Sequence, residues 1–315
     1  MTSEHDHIVT TITLPDDYEG KVKATLLKLP ATKKSSSAVL YIHGYLDYYF
    51  QYHMAEYFAA RGRNFYALDL RKYGRSYMPH QHFNYARRME EYYPDIDSAL
   101  DIVISQGNTD ITLMGHSTGG LIAALYCAEG NRRQFVDRLI LNSPFLEFNV
   151  NGFTRNIALP AAGAIGAIFP YSHIGNVLSP NYFKSVHSSQ KGEWDFDTRL
   201  KPENNPPLYL AWLRGVRRAH KKVKKGLRIP IPVLVMFSDK STYHKGWHEE
   251  AMISDTILNV KQIMKWGAEL GDNVTLEEIP DGLHDLSLSR KDVREKVFTI
   301  MDYFMGENKG MGSDK

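Results

Sequence analysis

Short apolar segments alternate with longer helical patterns along most of this chain, and this alternation limits the folds that it can adopt. The apolar segments are rich in β-branched and aliphatic residues, as strands buried on both faces are, and they cover residues 38–42, 64–68, 111–114, 138–141, 232–237 and 274–279. Helical patterns lie between them, near 51–62, 95–106, 118–129, 256–270 and 291–305. Two further segments, 8–13 and 20–28, predict an antiparallel pair of strands ahead of the others. The sequence therefore predicts an α/β fold with a mostly parallel central sheet flanked by helices.

The alternation stops between residues 145 and 230. This stretch is rich in proline and contains an apolar segment of small residues, 157–171, before the chain returns to a strand at Pro232. We therefore predict a helical cap at 145–230, inserted after the sixth strand, on a core made of residues 1–144 and 231–315.

Composition limits the class of protein and its surroundings. Of the 315 residues, 43% are hydrophobic and 23% are charged, which excludes a disordered chain. The formal net charge of +2 gives no overall attraction to nucleic acid. The single cysteine, Cys127, cannot form an internal disulfide, and residues 1–7 lack the pattern of a signal peptide. We expect a soluble protein of a reducing compartment, most simply the cytoplasm, with no nucleic-acid partner.

A serine stands between two glycines in Gly115-His116-Ser117-Thr118-Gly119, where an apolar run gives way to a helical pattern. A nucleophilic serine on such a turn has a crowded backbone, so small residues must lie two positions on either side of it. The first turn of the helix then offers free N–H groups and a positive dipole end to an oxyanion. We predict Ser117 as the nucleophile. The predicted oxyanion-hole donors are the backbone N–H groups of Thr118 and of Tyr45, which lies in the loop after the first parallel strand.

The general base must be chosen among 13 histidines. In hydrolases built around a strand–Gly-x-Ser-x-Gly–helix unit, the base follows the last strand and precedes the last helix. His284 lies in that place, between the strand that ends at Ile279 and the helix that begins near Lys291. We predict His284 as the base, and we expect His43 and His116 to have structural roles.

Two carboxylates compete for the role of the acid that orients this base. Asp239 directly follows the apolar strand 232–237, and Asp255 precedes the next helical pattern. A helix, a strand and short loops between acid and base need about 30 residues. Asp255 lies 29 residues before His284 and Asp239 lies 45 before it. Spacing therefore favours Asp255, with Asp239 as the runner-up; a plain helix N-cap is the structural alternative for Asp255.

With these pieces in place, the chain resembles the α/β-hydrolases of the group that contains monoacylglycerol lipases, lysophospholipases and serine aminopeptidase-like hydrolases. The order Ser, Asp, His along the chain is the one expected for that fold. The matching segments are 43–45, 69–76, 115–119, 254–260 and 282–285. In that group the acid begins a pattern Asp-x-Val-x-Asp, which Asp255 and Ile257 match and in which Asn259 takes the last place. Two departures are Lys72-Tyr73 in place of a Gly-rich turn, and an insertion at 240–252.

The resemblance implies a serine hydrolase that cleaves a small-molecule acyl ester, lipid-like in the manner of a lysophospholipase or monoacylglycerol lipase, through an acyl-enzyme. No metal or cofactor is expected. One alternative is an amidase or aminopeptidase-like hydrolase on the same triad. The other is a non-catalytic protein of this fold that binds a ligand.

A basic segment stands out in the predicted cap. Residues 214–228 hold eight Lys or Arg and no acid, on a helical pattern whose opposite face is apolar. Such a helix attracts anionic lipid headgroups, so one prediction is a weak peripheral membrane contact. The simpler alternative is that the basic face is only solvated. Aromatic side chains for stacking nucleic-acid bases are sparse here. His244 and His248 have helical ligand spacing but lack the Glu placement of a zinc protease, so no metal site is expected.

Overall fold

In a computed structural model of the protein, eight strands form one sheet in the order β1–β2–β4–β3–β5–β6–β9–β10. The strands are β1 (Ile8–Asp17), β2 (Gly20–Leu29), β3 (Ser37–Ile42), β4 (Asn64–Asp69), β5 (Asp110–His116), β6 (Arg138–Asn142), β9 (Val233–Ser238) and β10 (Val274–Ile279). The pairs β1–β2 and β2–β4 are antiparallel and the other five pairs are parallel. The predicted mostly parallel sheet with a leading antiparallel pair is confirmed.

The structure describes residues 4–175, 179–204 and 206–307. Residues 1–3, on which the predicted lack of a signal peptide partly rests, lie outside the described residues. So do residues 176–178 and 205 of the predicted cap. The ends of the predicted core, beyond residue 307, lie outside them as well.

Helices cover both faces of the sheet. On one face, α1 (Tyr52–Ala60) and α8 (Lys291–Glu307) share an apolar cluster with the inward residues of the strands. On the other face, α2 (Tyr93–Ser105), α3 (Thr118–Glu129) and α7 (Val260–Gly267) do the same. The central strands β3 and β6 are buried along their whole length, as the apolar runs within them predict.

Between β6 and β9 the chain forms a separate layer above the sheet edge. It contains α4 (Leu159–Ile168), α5 (Pro180–Val186), α6 (Leu210–Lys224) and a two-stranded ribbon of β7 (His173–Ile174) and β8 (Leu208–Tyr209). The apolar stripe of α6 packs onto the core cluster that contains α3. The small residues of α4 allow a close crossing with α6, because a Cβ on Gly166 would lie 2.4 Å from the backbone carbon of Leu210. Nowhere in the described ranges does a helix have the length and apolar character needed to cross a membrane.

The helix predicted over 256–270 is shorter than its pattern suggested. It begins at Val260, where the side chain of Asn259 accepts a hydrogen bond from the backbone N–H of Lys261 and forms the N-cap. The residues before it form a turn, because the carboxylate of Asp255 accepts hydrogen bonds from two backbone N–H groups. Asp255 is therefore not the N-cap of this helix.

Candidate active site

Ser117 lies on the sharp turn that joins β5 to α3. Its φ of 51° is a strained value for a residue other than glycine, and it projects the side chain out of the regular backbone path. The two flanking glycines are required by close packing. A Cβ on Gly115 would lie 2.5 Å from the carbonyl oxygen of Gly119, and a Cβ on Gly119 would lie 2.3 Å from that of His43. The spacing Gly-x-Ser-x-Gly is thus a direct consequence of this turn.

The side chains of Ser117, His284 and Asp255 form one hydrogen-bonded chain. The distance from Ser117 Oγ to His284 Nε2 is 3.1 Å, and the distance from His284 Nδ1 to Asp255 Oδ2 is 2.8 Å. A carboxylate only accepts, so Nδ1 carries the proton and Nε2 is free to accept the serine hydroxyl. All three side chains are buried, and Asp255 is fully so. This geometry would allow the serine, the histidine and the carboxylate to act as nucleophile, base and orienting acid.

Asp255 is held rigidly for such a role. Its second carboxylate oxygen accepts hydrogen bonds from the backbone N–H groups of Ile257 at 2.8 Å and Leu258 at 2.7 Å. The insertion at 240–252 folds back on it, since the backbone of Asp255 bonds to Lys240 and Thr242. The insertion therefore anchors the acid.

Asp239, the runner-up acid, lies elsewhere. Its Oδ1 accepts a hydrogen bond from the backbone N–H of Asp281 at 2.9 Å, and Oδ2 lies 3.5 Å from the ammonium of Lys240. These contacts fasten the end of β9 to the loop after β10. Of the two candidate carboxylates, the structure brings Asp255 to His284.

The loop after β3 passes against Ser117, as the predicted oxyanion hole requires. A Cβ on Gly44 would lie 3.2 Å from Ser117 Cβ, and both Tyr45 and Thr118 line the cavity into which Ser117 opens. His43 fixes this loop from behind. Its Nε2 accepts from the backbone N–H of Leu70 at 3.1 Å, and its Nδ1 lies 2.8 Å from Gly44 O. The structural role expected for His43 fits these contacts, and the roles of the two amide donors stay predictions.

A cavity of about 370 Å³ opens beside Ser117. Its wall is mostly apolar, and the layer between β6 and β9 contributes a large part of it through Leu159, Ile174, Phe183, Leu208, Trp212 and Leu213. Of the small-residue segment 157–171, only Leu159 lines this cavity. Apolar walls around a few polar groups are typical of sites for small molecules with hydrocarbon parts.

One buried carboxylate at the site escaped the sequence analysis. Asp285 follows the candidate base and accepts hydrogen bonds from Gln51, Asn142 and Ser287. Burial opposes its ionisation, but nearby His116 and the bonds from Ser287 and Asn142 lower the pKa of Asp285 to about 2. The charged group thereby ties the loop of His284 to β6 and to the start of α1. The adjacent pair His-Asp was the only signal in the sequence.

A buried ion pair also joins the cavity wall to the loop after β3. The ammonium of Lys201 lies 2.7 Å from Asp47 Oδ1, and both residues line the cavity. The aromatic rings of Phe50, Phe196 and Tyr182 surround the ammonium at 4.9 to 5.4 Å. Sequence patterns gave no indication of this pair, because its members lie 154 residues apart.

Among the described residues, two groups of neighbouring side chains have the residue types of metal ligands. His244, His248 and Glu250 lie on the exposed insertion, and the first histidine is 2.9 Å from the glutamate. Asp47, His116 and Asp285 form a buried group, in which Asp47 and Asp285 already have partners. Neither group has an arrangement that needs an ion to explain it.

Residues 33–286 match the family model described as serine aminopeptidase, S33, which is well over half of the chain. No curated protein matches the chain significantly.

Many solved structures share the architecture. A soluble variant of monoglyceride lipase from Saccharomyces cerevisiae, in complex with a substrate analog, superposes with a TM-score of 0.71 at 17% identity, over 94% of each chain. The monoacylglycerol lipase of Paleococcus ferrophilus gives a TM-score of 0.67 at 20% identity, over 89% of this chain and 97% of that one. At such identities the likeness concerns the fold.

Proposed function

The chain belongs to the serine aminopeptidase S33 family and is a serine hydrolase of the α/β-hydrolase fold, and from this premise we propose that it cleaves carboxylic esters through an acyl-enzyme. The observation that carries the proposal is the connected set Ser117–His284–Asp255 at the base of an apolar cavity. The substrate class we propose is a lipid-like acyl ester, of the lysophospholipase or monoacylglycerol type.

In the proposed mechanism, Ser117 Oγ attacks the ester carbonyl while His284 Nε2 takes its proton. Asp255 keeps the imidazole in the required tautomer and stabilises the imidazolium. The backbone N–H groups of Tyr45 and Thr118 hold the oxyanion, aided by the N-terminus of α3. His284 then protonates the leaving alcohol, and a water molecule activated by the same histidine releases the acid. Every step uses side chains and amides of this chain, and no cofactor is part of the proposal.

An ester fits the cavity better than a peptide with a free N-terminus. An aminopeptidase must attract an ammonium, which calls for an unpaired carboxylate near the nucleophile. Of the two acids that line the cavity, Asp47 is already paired with Lys201, so the exposed Glu203 is left to hold an ammonium, and solvent weakens such a contact. The apolar wall favours an acyl chain instead.

Hydrolysis of p-nitrophenyl esters of graded chain length tests this proposal. We expect turnover that falls at least about 10³-fold in Ser117→Ala, because nucleophile loss removes covalent catalysis. Ser143→Ala is the matched control: its buried hydroxyl has no hydrogen-bond partner among the described residues, so near-normal rates are expected. Hydrolysis of p-nitroanilides with no ester turnover would instead establish an amidase. Folded protein that cleaves neither would favour a ligand-binding role.

A further inference from the structure

The basic segment of the sequence separates into two groups in the structure. Lys222 forms ion pairs with Glu90 and Glu129, and Lys224 pairs with Glu147, so these cations fasten α6 to neighbouring acids. The other six cations form no ion pair or side-chain hydrogen bond with any other described residue. Four of them, Arg214, Arg217, Arg218 and Lys221, line one groove, and the exposed Lys225 and Arg228 do not line it.

These four cations, called here the α6 cation row, line a groove of about 470 Å³. The other wall of the groove is α4, through Pro160, Gly163, Ala164, Ala167 and Ile168, and no acidic residue lines it. Burial lowers the pKa of Arg214, and the positive charges of Arg218 and Arg88 lower it further. These like charges have no counter-charge among the described residues of the groove, so the groove favours the binding of an anion.

Beside the α6 cation row lies an exposed apolar surface. Of the fifteen large hydrophobic side chains exposed in the described part of the chain, seven fall within 22 consecutive residues: Phe153, Ile157, Ile165, Ile168, Phe169, Tyr171 and Ile174. Ile168 is 73% exposed and Phe169 is 63% exposed. The small-residue face of α4 packs on α6, so its isoleucines are left outside. We call this group the α4 apolar surface.

The α4 apolar surface continues into the wall of the cavity beside Ser117. Leu159, within α4, and Thr154, in the turn before it, line that cavity, and Ile174 lies both on the exposed surface and at the cavity. A hydrophobic molecule held against this surface is therefore adjacent to the opening of the candidate active site.

We propose that the α4 apolar surface and the α6 cation row together dock the protein on a lipid bilayer that carries anionic headgroups. The apolar side chains enter the boundary between headgroups and acyl chains, and the four cations neutralise lipid phosphates. An exposed apolar patch of this kind is typical of a surface that contacts a membrane or another protein, and the flanking cations favour an anionic membrane. This docking is a binding property separate from the proposed hydrolysis, and the protein stays on the membrane surface.

Co-sedimentation with vesicles tests the docking, and using Ser117→Ala throughout makes the result independent of turnover. The probes are phosphatidylcholine vesicles with and without 30 mol% phosphatidylglycerol, a composition of about one anionic lipid in three. The variant Arg217→Gln/Arg218→Gln/Lys221→Gln removes three groove cations. At about 1 kcal/mol per cation, we expect its partition coefficient to the anionic vesicles to fall about 100-fold.

Two further variants separate the contributions. Lys33→Gln/Lys34→Gln/Lys296→Gln removes the same charge from exposed positions on the core and should bind like the parent. Ile165→Ser/Ile168→Ser should lower binding by reducing the inserted apolar area. Equal losses in the groove and core charge variants, equal binding to both vesicle types, or binding to RNA without binding to vesicles would overturn the proposal. Assays of hydrolysis on soluble esters test the proposed function independently of these binding results.

Discussion

The choice of acid shows how far a single residue's surroundings determine its role. Asp255 and Asp239 both follow β9, and both are close enough in sequence to serve His284. The insertion at 240–252 folds back onto the backbone of Asp255, whose carboxylate lies 2.8 Å from the imidazole of His284. Asp239 is already bonded to the loop after β10.

Asp255→Asn should therefore reduce kcat about 10³- to 10⁴-fold with little change in KM, because an amide favours the wrong imidazole tautomer. Asp239→Asn is the control of equal size and should stay within a few-fold of the parent enzyme. Steady-state kinetics on the best p-nitrophenyl ester decides between them. A larger loss at Asp239 would reverse the assignment of the acid.

The surroundings of a second residue, Lys72, explain why the chain departs here from the Gly-rich turn of the hydrolases that it resembles. Lys72 stands where related sequences have a Gly-rich turn, and its φ is 67°, in the left-handed region that glycine favours. Its fully buried ammonium lies 2.7 Å from Asp17 and 2.6 Å from Glu19. These ion pairs with the turn between β1 and β2 offset the cost of the left-handed backbone at Lys72. The chain can therefore keep the same turn conformation with lysine where related sequences have glycine.

At the scale of elements, the segment at 196–201 is fastened to the loop that carries Tyr45. The Lys201–Asp47 ion pair is one contact, and the other is a hydrogen bond of 2.8 Å from the backbone N–H of Asp197 to Tyr48 Oη. Phe196 packs on Phe50 beside them. The layer above the sheet therefore supports the loop at the candidate oxyanion hole.

Lys201→Met should destabilise the protein by about 3–5 kcal/mol, because Asp47 is then left charged and buried without its partner. The double variant Lys201→Met/Asp47→Leu should recover most of this loss. Urea unfolding measures the free energies, and Lys191→Met, at an exposed position of the same layer, is the control. A single variant as stable as the parent would show that the pair is not effectively buried.

At the scale of the whole molecule, the half-buried His53 and the buried His220, on opposite sides of the sheet, should make stability depend on pH. Burial lowers the pKa of His53, in α1, and of His220, in α6, to about 4. His53 donates a hydrogen bond to the carbonyl oxygen of Ser287, and His220 donates one to that of Phe145. The other ring nitrogen of His220 lies 3.8 Å from Glu147 Oε1. These two histidines are therefore protonated at a lower pH in the folded protein than in the unfolded chain.

Because the unfolded chain binds these protons more readily, protonation favours unfolding. The stability that the two neutral histidines contribute is complete above the unfolded pKa of about 6.5 and decreases as the pH falls toward 4. Each histidine should remove roughly 1–2 kcal/mol from the free energy of unfolding between pH 7 and pH 5. Denaturant melts at both pH values measure this, and His53→Gln/His220→Gln should show a smaller difference. His5→Gln, at an exposed position, is the control. An unaltered pH dependence in the double variant would contradict the assignment.

Local patterns of the sequence were sufficient for the sheet, the turn at Ser117 and the place of His284. Apolar runs, glycine spacing and chain order are consequences of nearby backbone geometry, and each is visible within a few residues. The cytoplasmic location and the exact limits of the cap at 145–230 stay predictions.

The tertiary structure decided those features that require contact between distant parts of the chain. The fold-back that presents Asp255, the pairing of Lys201 with Asp47, and the division of one basic helix into paired and unpaired cations all involve such contacts. The sequence gives the charges and their order, but the free energy of a charge depends on burial and on its neighbours in space. For that reason the sequence determined the types of the catalytic candidates, and the fold alone decided which of them meet.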